Sequence, residues 1–443
     1  MMLLRLILLF IIINFNYAIA ADIPVIVIAP SKKAQSASTV GTSVTVLDEN
    51  FFNNSTESFL GDVLSSTTTS ANFFQNGGPG STSAIQLRGL PKRYTTVYID
   101  GVKMSDPSSV SNDFDFSQIL TSSISRVEIL KGNQSSVYGS GAIGGTINIT
   151  TKKGKPGFHK DIEYMTGTNG THNLAASISG ADDANNFFIG LERYQTDGVS
   201  ALRHNTEKDR YRNNSIVANY DRILSDEFEF QARSRVAESY LQYDAVSGTS
   251  GFAHNEEQDS LEGSANVSLV YKPMENFTNK FTVANTTIRR VYADAPGSNN
   301  TIKDNYAGDR DAYMYSGNYN FNLDNSIVFG YEREEDAVGY NANDTGNIDK
   351  HSWVNSKYYD YQSRLTENLY VTLGSRFDEH QRAGTEDSHR VTAAYLLDDN
   401  LTKLKASYGT GFRYPSIYEE FFVYAANSAS LPNVKAENSK SYD

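Results

Sequence analysis

The sequence predicts an all-β transmembrane barrel preceded by a compact α+β unit, and three observations point there. The chain opens on an export signal. From about Gly157 onward, about a dozen segments alternate polar and apolar residues with no helical stretch between them. No later segment reaches the roughly eighteen apolar residues of a membrane-crossing helix.

The signal comes first. Arg5 precedes an apolar run over 6–13, and Ala18-Ile19-Ala20 supplies a small-residue cleavage site. A charged start, a short apolar run and an A-x-A pattern define a secretory peptide over residues 1–20. The run is too short to cross about 30 Å of hydrocarbon at about 1.5 Å per residue. The absence of cysteine from an exported chain excludes a disulfide-stapled scaffold, thiolate metal sites and cysteine nucleophiles. A net charge of −13 argues against nucleic acid as a partner, because phosphate binding needs a basic face. A mean hydropathy of −0.45 resembles that of a water-soluble protein, yet a barrel hides its membrane face in alternation. The 28 Tyr and 23 Phe against one Trp suit aromatic girdles at the edges of an apolar band.

Residues 21–43 carry Ile23, Pro24, Val25, Ile26, Val27, Ile28 and Ala29, then a linker rich in Ser, Ala and Lys. An exposed Val/Ile run can add as an edge strand to a partner's sheet through main-chain hydrogen bonds, and Pro24 is tolerated at its start. Residues 44–156 read as one unit of short elements. Within it, 59–64 suits a short helix, and Thr96-Val97-Tyr98-Ile99 followed by Asp100-Gly101 is a strand ending in a hairpin turn. The stretch 125–150 reads strand, glycine-rich turn, strand.

Residues 157–443 supply the barrel strands. Phe228, Phe230 and Ala232 share one face, while Glu229, Gln231 and Arg233 share the other. Leu369, Val371 and Leu373 alternate with Tyr370, Thr372 and Gly374, and Ile216, Ala218, Tyr220 and Leu404, Ala406, Tyr408 repeat the pattern. Successive side chains of a strand point to opposite faces, so each segment offers an apolar face to lipid and a polar face to a lumen. A soluble sandwich gives the same alternation. The persistence of the pattern behind an export signal favours the outer-membrane barrel. The Asn- and Asp-rich stretches 296–311 and 341–350 read as loops between strands.

Gly139-Ser140-Gly141-Ala142-Ile143-Gly144 satisfies the dinucleotide pattern G-x-G-x-x-G. That pattern works between a strand and a helix, whose N-terminus receives the pyrophosphate. Here the β-branched Thr146-Ile147-Asn148-Ile149-Thr150 follows, and βαβ alternation is absent. The seven histidines are scattered without an H-E-x-x-H, and no G-x-S-x-G elbow occurs. An enzyme is therefore not predicted.

The same glycines suit tight turns packed against neighbouring backbone. The stretch 125–150, together with Ile85-Gln86-Leu87-Arg88-Gly89 and Val97-Tyr98-Ile99-Asp100-Gly101, resembles the plug domain of TonB-dependent outer-membrane receptors. Gly411-Phe412-Arg413-Tyr414-Pro415-Ser416-Ile417 and residues 431–440 resemble that family's mid-barrel motif, with Ala436-Glu437 where the family usually has Pro-Glu. The resemblance implies that 44–156 is an α+β plug inside the barrel lumen and that 23–29 is a Ton box engaging periplasmic TonB. It also implies a monomer embedded in outer-membrane lipid that imports a scarce, large nutrient. The complete family barrel has about 22 strands. About 285 residues follow Gly157, room for about 12–14 strands at roughly 10 residues each plus loops. The sequence is thus expected to be a fragment lacking the last third of its barrel.

Two short matches point to a cargo. Gln75-Asn76-Gly77-Gly78 and Tyr243-Asp244-Ala245 resemble segments of the vitamin B12 (cobalamin) transporter branch. That likeness implies cargo contacts at Gln75, Asn76, Ser81, Val110 and Ser111. It also implies calcium, as a structural ion of the extracellular loops, at Asp209, Tyr243 and Asp244, since oxygen ligands suit Ca²⁺. Phe73, Phe74 and Arg93 keep a ferric siderophore or haem as the alternative cargo. A passive porin or adhesin barrel is the alternative outside the class, and it would need neither the plug nor the exposed Val/Ile run.

Overall fold

A computed structural model describes residues 26–201, 207–246, 253–293, 303–342, 346–397, 402–421 and 434–443. The expected signal peptide, with Ile23, Pro24 and Val25, lies outside the described residues.

The N-terminal domain is built on a five-stranded sheet. Its strands are β3 (Ser43–Leu47), β6 (Thr95–Ile99), β7 (Val102–Lys103), β8 (Ile124–Lys131) and β9 (Gly145–Thr151), in the order β3-β8-β9-β6-β7. The β-branched runs in β6 and β9 favour strand, and the two pair in parallel from Thr95↔Gly145 to Ile99↔Ile149. At the β6–β7 turn, Asp100 (φ 50°) and Gly101 (φ 84°) both adopt left-handed backbone, the geometry of a two-residue hairpin turn. Helix α1 (Glu49–Asn54) starts where the Asp48 carboxylate accepts from Phe51 N at 2.9 Å. Helix α2 (Leu60–Thr67) buries Leu60, Val63 and Leu64 against Ile85, Leu87, Ile129 and Ile147, which form the main core. A second hairpin joins β4 (Ala71–Gln75) to β5 (Ser83–Leu87). The expected glycine-rich turn contains one helical turn, α3 (Ser135–Tyr138). Asn133 Oδ1 accepts from Ser135 N at 3.0 Å and starts it, and Gly139 at φ 74° ends it.

Fourteen antiparallel strands follow in simple up-and-down order, from β10 (Gly157–Gly167) to β23 (Glu437–Tyr442). Among the described residues, β10 and β23 each pair on one side only. The strand count falls within the expected range. The two faces also divide as expected. Val283, Leu373, Val391 and Phe281 lie exposed on the outer face, while Ser264, Asn266, Thr286 and Arg310 are buried on the inner face against the N-terminal domain. No helix among the described residues is long and apolar enough to cross a membrane. Short turns over 224–227, 275–276, 321–324 and 365–368 gather at one end, and the long connections gather at the other.

Two expectations need correction. The stretches 296–311 and 341–350 are not loops throughout: β17 (Lys303–Asn320) and β18 (Asn325–Ala342) pair up to Asn305↔Asn341, and β19 begins at Gly346. These hairpins continue past the apolar band. There both faces carry polar residues, Asn305, Asp309 and Asp311 on one and Asp304 and Arg310 on the other, so the ladder persists while the hydrophobic alternation that reveals a strand is lost. The strand series is also interrupted by helix α4 (Ile417–Phe421), which follows β22 (Lys403–Arg413).

Val283 lies midway along the outward face of β16 (Phe277–Ala293). Val283→Arg in the full-length protein is expected to lose about 2–4 kcal/mol in urea unfolding from lipid vesicles. A loss under about 1 kcal/mol would show that this face does not meet hydrocarbon.

Candidate ligand cavity, acid cluster and N-terminal segment

At the long-loop end, a cavity of about 430 Å³ opens between the N-terminal domain and the barrel wall. The floor is the loop over residues 105–113, and three wall arginines hold it in place. Arg310 donates to Ser105 O at 3.1 Å and Ser105 Oγ at 2.7 Å. Arg290 pairs with Asp106 at 2.8 Å and donates to Ser108 Oγ at 3.1 Å. Arg413 donates to Ser111 O at 3.3 Å, and Ser416 Oγ donates to Val110 O at 2.6 Å. Ser105, Asp106 and Ser108 are buried in these anchors, while Val110, held by its carbonyl, is 58% exposed and projects outward.

The cavity wall is aromatic. Tyr292 and Tyr306 meet edge-on with centroids 5.6 Å apart, and Tyr306 and Tyr340 are 4.6 Å apart. The Arg290 guanidinium lies 5.2 Å from the Tyr306 centroid. Asp115 lines the same space and accepts from Ser83 N, Ser83 Oγ and Ser117 N. Burial raises its pKa above the ordinary aspartate value, and those hydrogen bonds oppose the rise.

Of the predicted contacts, Val110 and Ser111 line this cavity. Gln75, Asn76 and Ser81 sit together on the neighbouring β4–β5 tip, whose Thr82 reaches the lining. Gln75 Nε2 donates to Gly78 O at 2.7 Å, and Ser81 N to Gly78 O at 3.1 Å, which fixes the tip. Gly80 (φ 85°) lies against the Tyr211 ring, where a Cβ would come within 2.0 Å, so only glycine fits.

Tyr211 opens β13 (Tyr211–Ile223), and the segment before it holds an acid cluster. Carboxylate oxygens of Glu207, Asp209 and Asp244 all lie within 4.8 Å of one another. Both Glu207 oxygens and Asp209 Oδ1 are buried without a hydrogen-bond partner. Burial raises the Asp209 pKa, and the neighbouring Asp244 and Glu207 charges add to the rise. Asp209 Oδ2 accepts from Ala201 N at 2.8 Å, so it is the remaining oxygens of Glu207 and Asp209, grouped with Asp244, that offer the chemistry of a hard-cation site. Asp209 and Asp244 were legible in the sequence, whereas Glu207 is added by the fold. Tyr243, the third predicted ligand, precedes Asp244 on the same strand and packs its side chain against Leu120, Tyr194, Tyr211 and Leu241.

At the short-turn end, β1 (Ile26–Val27) pairs with β2 (Gln35–Ser36). Val27 and Ala29 are buried, while Ile26 and Ile28 are exposed. The Glu128 carboxylate accepts from Ile28 N at 3.0 Å and from Ala29 N at 2.8 Å. Arg126 donates to Ile26 O, and Tyr138 OH donates to Ala29 O at 2.7 Å. Lys32, just beyond, is paired with Glu332 on the barrel wall and lies 4.6 Å from the Tyr358 centroid. The segment is therefore held by main-chain hydrogen bonds together with the burial of Val27 and Ala29. The sequence pattern missed the cavity tyrosines, Arg290, Glu128 and Lys32. A period-two pattern places Arg290 and Tyr292 on one face but does not say which face looks inward.

An open fourteen-stranded antiparallel wall with an apolar outer face, packed around a separate α+β domain and carrying a cavity at one end and a tethered segment at the other, has the architecture of a plugged β-barrel receptor. The chain belongs to the TonB-dependent receptor family. Residues 36–146 match the TonB-dependent Receptor Plug Domain, and 157–443 match the TonB dependent receptor-like β-barrel. This family of receptors and transporters resides in the outer membrane. The chain is 26% identical over 372 residues to the vitamin B12 transporter BtuB of Photobacterium profundum, covering 83% of this chain and 58% of the relative. With the same transporter of Vibrio cholerae the identity is 23% over 365 residues, covering 80% and 57%. It thus spans under three-fifths of the length of these curated relatives. Among solved structures, the siderophore receptor PirA from Acinetobacter baumannii superposes with a TM-score of 0.72 at 16% identity, covering 86% of this chain and 62% of that one. The copper transporter OprC superposes with a TM-score of 0.74 at 15% identity, covering 90% and 68%. At such identities the structures show the fold alone.

The tether yields a test, made simple by the absence of cysteine. With a single nitroxide at Ile26→Cys, Glu128→Ala is expected to raise spin-label mobility to that of a free segment. An unchanged spectrum would show that other contacts hold the segment.

Proposed function

We propose that the whole protein imports cobalamin across the outer membrane, driven by TonB acting on residues 23–29. The observation that carries this reading is the division of the molecule into two ends. A lined cavity faces the long loops, and a Val/Ile segment held by main-chain hydrogen bonds faces the short turns. Short turns are periplasmic and long loops extracellular in barrels of this kind, which puts cargo outside and the coupling segment inside. Val27 and Ala29 are covered, so TonB pairing with this strand requires its release from Glu128.

Energy input follows from affinity. A scarce nutrient calls for a Kd near the nanomolar range, about −12 kcal/mol. With association at about 10⁶–10⁷ M⁻¹s⁻¹, unaided release then takes minutes. Pulling on the plug from the periplasm removes that delay.

Support for cobalamin is the likeness to BtuB, together with an aromatic cavity floored by Val110 and Ser111 and bordered by the tip that carries Gln75, Asn76 and Ser81. Calcium fits the acid cluster: Glu207, Asp209 and Asp244 would hold it, with Tyr243 alongside. Its charge would satisfy the donor-less oxygens and order the loop on which Tyr211 covers the tip at Gly80.

Deleting residues 23–29 in cells carrying the complete gene is expected to abolish uptake while surface binding persists, and uptake that continues would end the coupling claim. Calorimetry of the full-length protein is expected to show heat with cyanocobalamin. No heat at micromolar protein, with heat from a ferric chelate or haem, would transfer the reading to that cargo. Calcium affinity is expected to fall as pH drops from 7.5 to 5. Asp209 titrates above the usual carboxylate range, so protons compete with the cation from the acid side. Asp209→Asn is expected to weaken calcium at least about tenfold, and wild-type affinity in that variant would remove the site.

A further inference from the structure

The cavity lining has a charge pattern that bears on which cargo it takes. Four acids (Asp106, Asp113, Asp115 and Glu262) and two bases (Lys92 and Arg290) line it. Neither base is free among the described residues. Lys92 pairs with Asp113 at 3.2 Å, and Arg290 pairs with Asp106 at 2.8 Å while lying on Tyr306. Glu262 is itself neutralised by Arg235 on the next strand. Asp115 has Ser83 and Ser117 as donors and forms no ion pair among the described residues. The described lining therefore offers a polyanion no uncommitted cation, and it keeps an excess of acid.

What remains is suited to neutral ligands. Tyr292, Tyr306 and Tyr340 form a continuous aromatic wall, and Ser108, Ser109 and Ser111 border the floor with hydroxyls. Ser111 Oγ donates to Asp113 at 2.6 Å, which leaves its lone pairs to accept from a neutral ligand N–H. We infer that the clamped pairs Arg290–Asp106 and Lys92–Asp113 make this cavity select an uncharged, flat, amide-bearing ligand and exclude polyanionic ferric chelates. This rests on the import reading above and goes beyond it by assigning the selectivity to named charge pairs. Like charges facing a ligand penalise the wrong partner, while stacking and hydrogen bonds hold the right one. A site built to capture anions would instead present unpaired Arg or Lys.

The test is equilibrium binding to the full-length protein with three probes: cyanocobalamin, a neutral ferric trihydroxamate and ferric enterobactin as the anionic chelate. Wild type is expected to bind a neutral probe at least about 100-fold more tightly than ferric enterobactin. Its binding should change little with salt, since screening acts on charge. Asp106→Asn, which frees the Arg290 guanidinium, is expected to strengthen ferric enterobactin binding about tenfold. Should that variant misfold, Tyr306→Ala provides the second check, with an expected loss of about tenfold for the neutral ligand. Tight, salt-sensitive binding of ferric enterobactin to wild type would overturn the selectivity and leave the import reading standing. Absence of both binding and uptake for all three probes would overturn the import reading, and the selectivity with it.

Discussion

Everything in this molecule depends on how a barrel wall accommodates charge against a domain packed inside it. The inward side of the strands carries buried arginines, and each answers to both a wall acid and an acceptor on the plug. Arg235 pairs with Glu262 and donates to Gln118 O at 2.9 Å. Arg376 pairs with Asp378 at 3.0 Å and donates to Val137 O at 3.2 Å. Arg390 pairs with Asp360 and donates to Gln134 Oε1 at 3.0 Å. Guanidinium has five fixed donors, so one side chain can serve wall and plug together. A buried ion pair adds little net stability, but losing one partner strands the other at about 3–5 kcal/mol. The interface is thus polar and specific at these points, with small apolar patches where Leu120 meets Tyr194 and Tyr211 and Val102 meets Ala284 and Ala312, in contrast to the plug's own extended apolar core around Leu64, Ile85, Ile129 and Ile147.

That division of labour explains how a filled barrel can also be a working one. The plug folds on its own core and meets the wall through bonds that water can replace. One strand links the two ends: β18 presents Glu332, Glu334 and Asp336 at successive inward positions. These acids meet Lys32 beside the N-terminal segment, Lys103 on the plug sheet and Arg310 under the cavity loop. Two-residue spacing on one face makes this a consequence of strand geometry. The cavity floor and the tethered segment therefore rest on the same wall strand.

The acid cluster shows the same logic outside the lumen. Asp209 precedes β13 and Asp244 lies near the end of β14 (Phe228–Val246), and Glu207 joins them. Around them, Gly80 admits the Tyr211 ring so closely that the plug tip and the loop base share a surface. Ordering one orders the other.

Much of the fold was legible in the residues. The short helix near Leu60, the Asp100-Gly101 turn, the alternating strands and the plug-like 125–150 block all express local rules, namely capping, turn chemistry and the two-residue period. The polar strand extensions at 303–311 and 346–350 were misread as loops because no hydrophobic alternation marks them, and the burial of Arg310 comes from the plug loop over 105–113, which no local pattern shows. The helical turn at Ser135–Tyr138 was hidden because it is started by one side chain, Asn133, and by its surroundings. By itself the sequence determined which faces are apolar and which segments can pair. Only the tertiary structure decided that Arg290 is neutralised by Asp106, that three tyrosines from three strands form one wall and that Glu128 grips Ile28 and Ala29. Those contacts join residues dozens to hundreds of positions apart, and their energies depend on burial and distance, which no local pattern encodes.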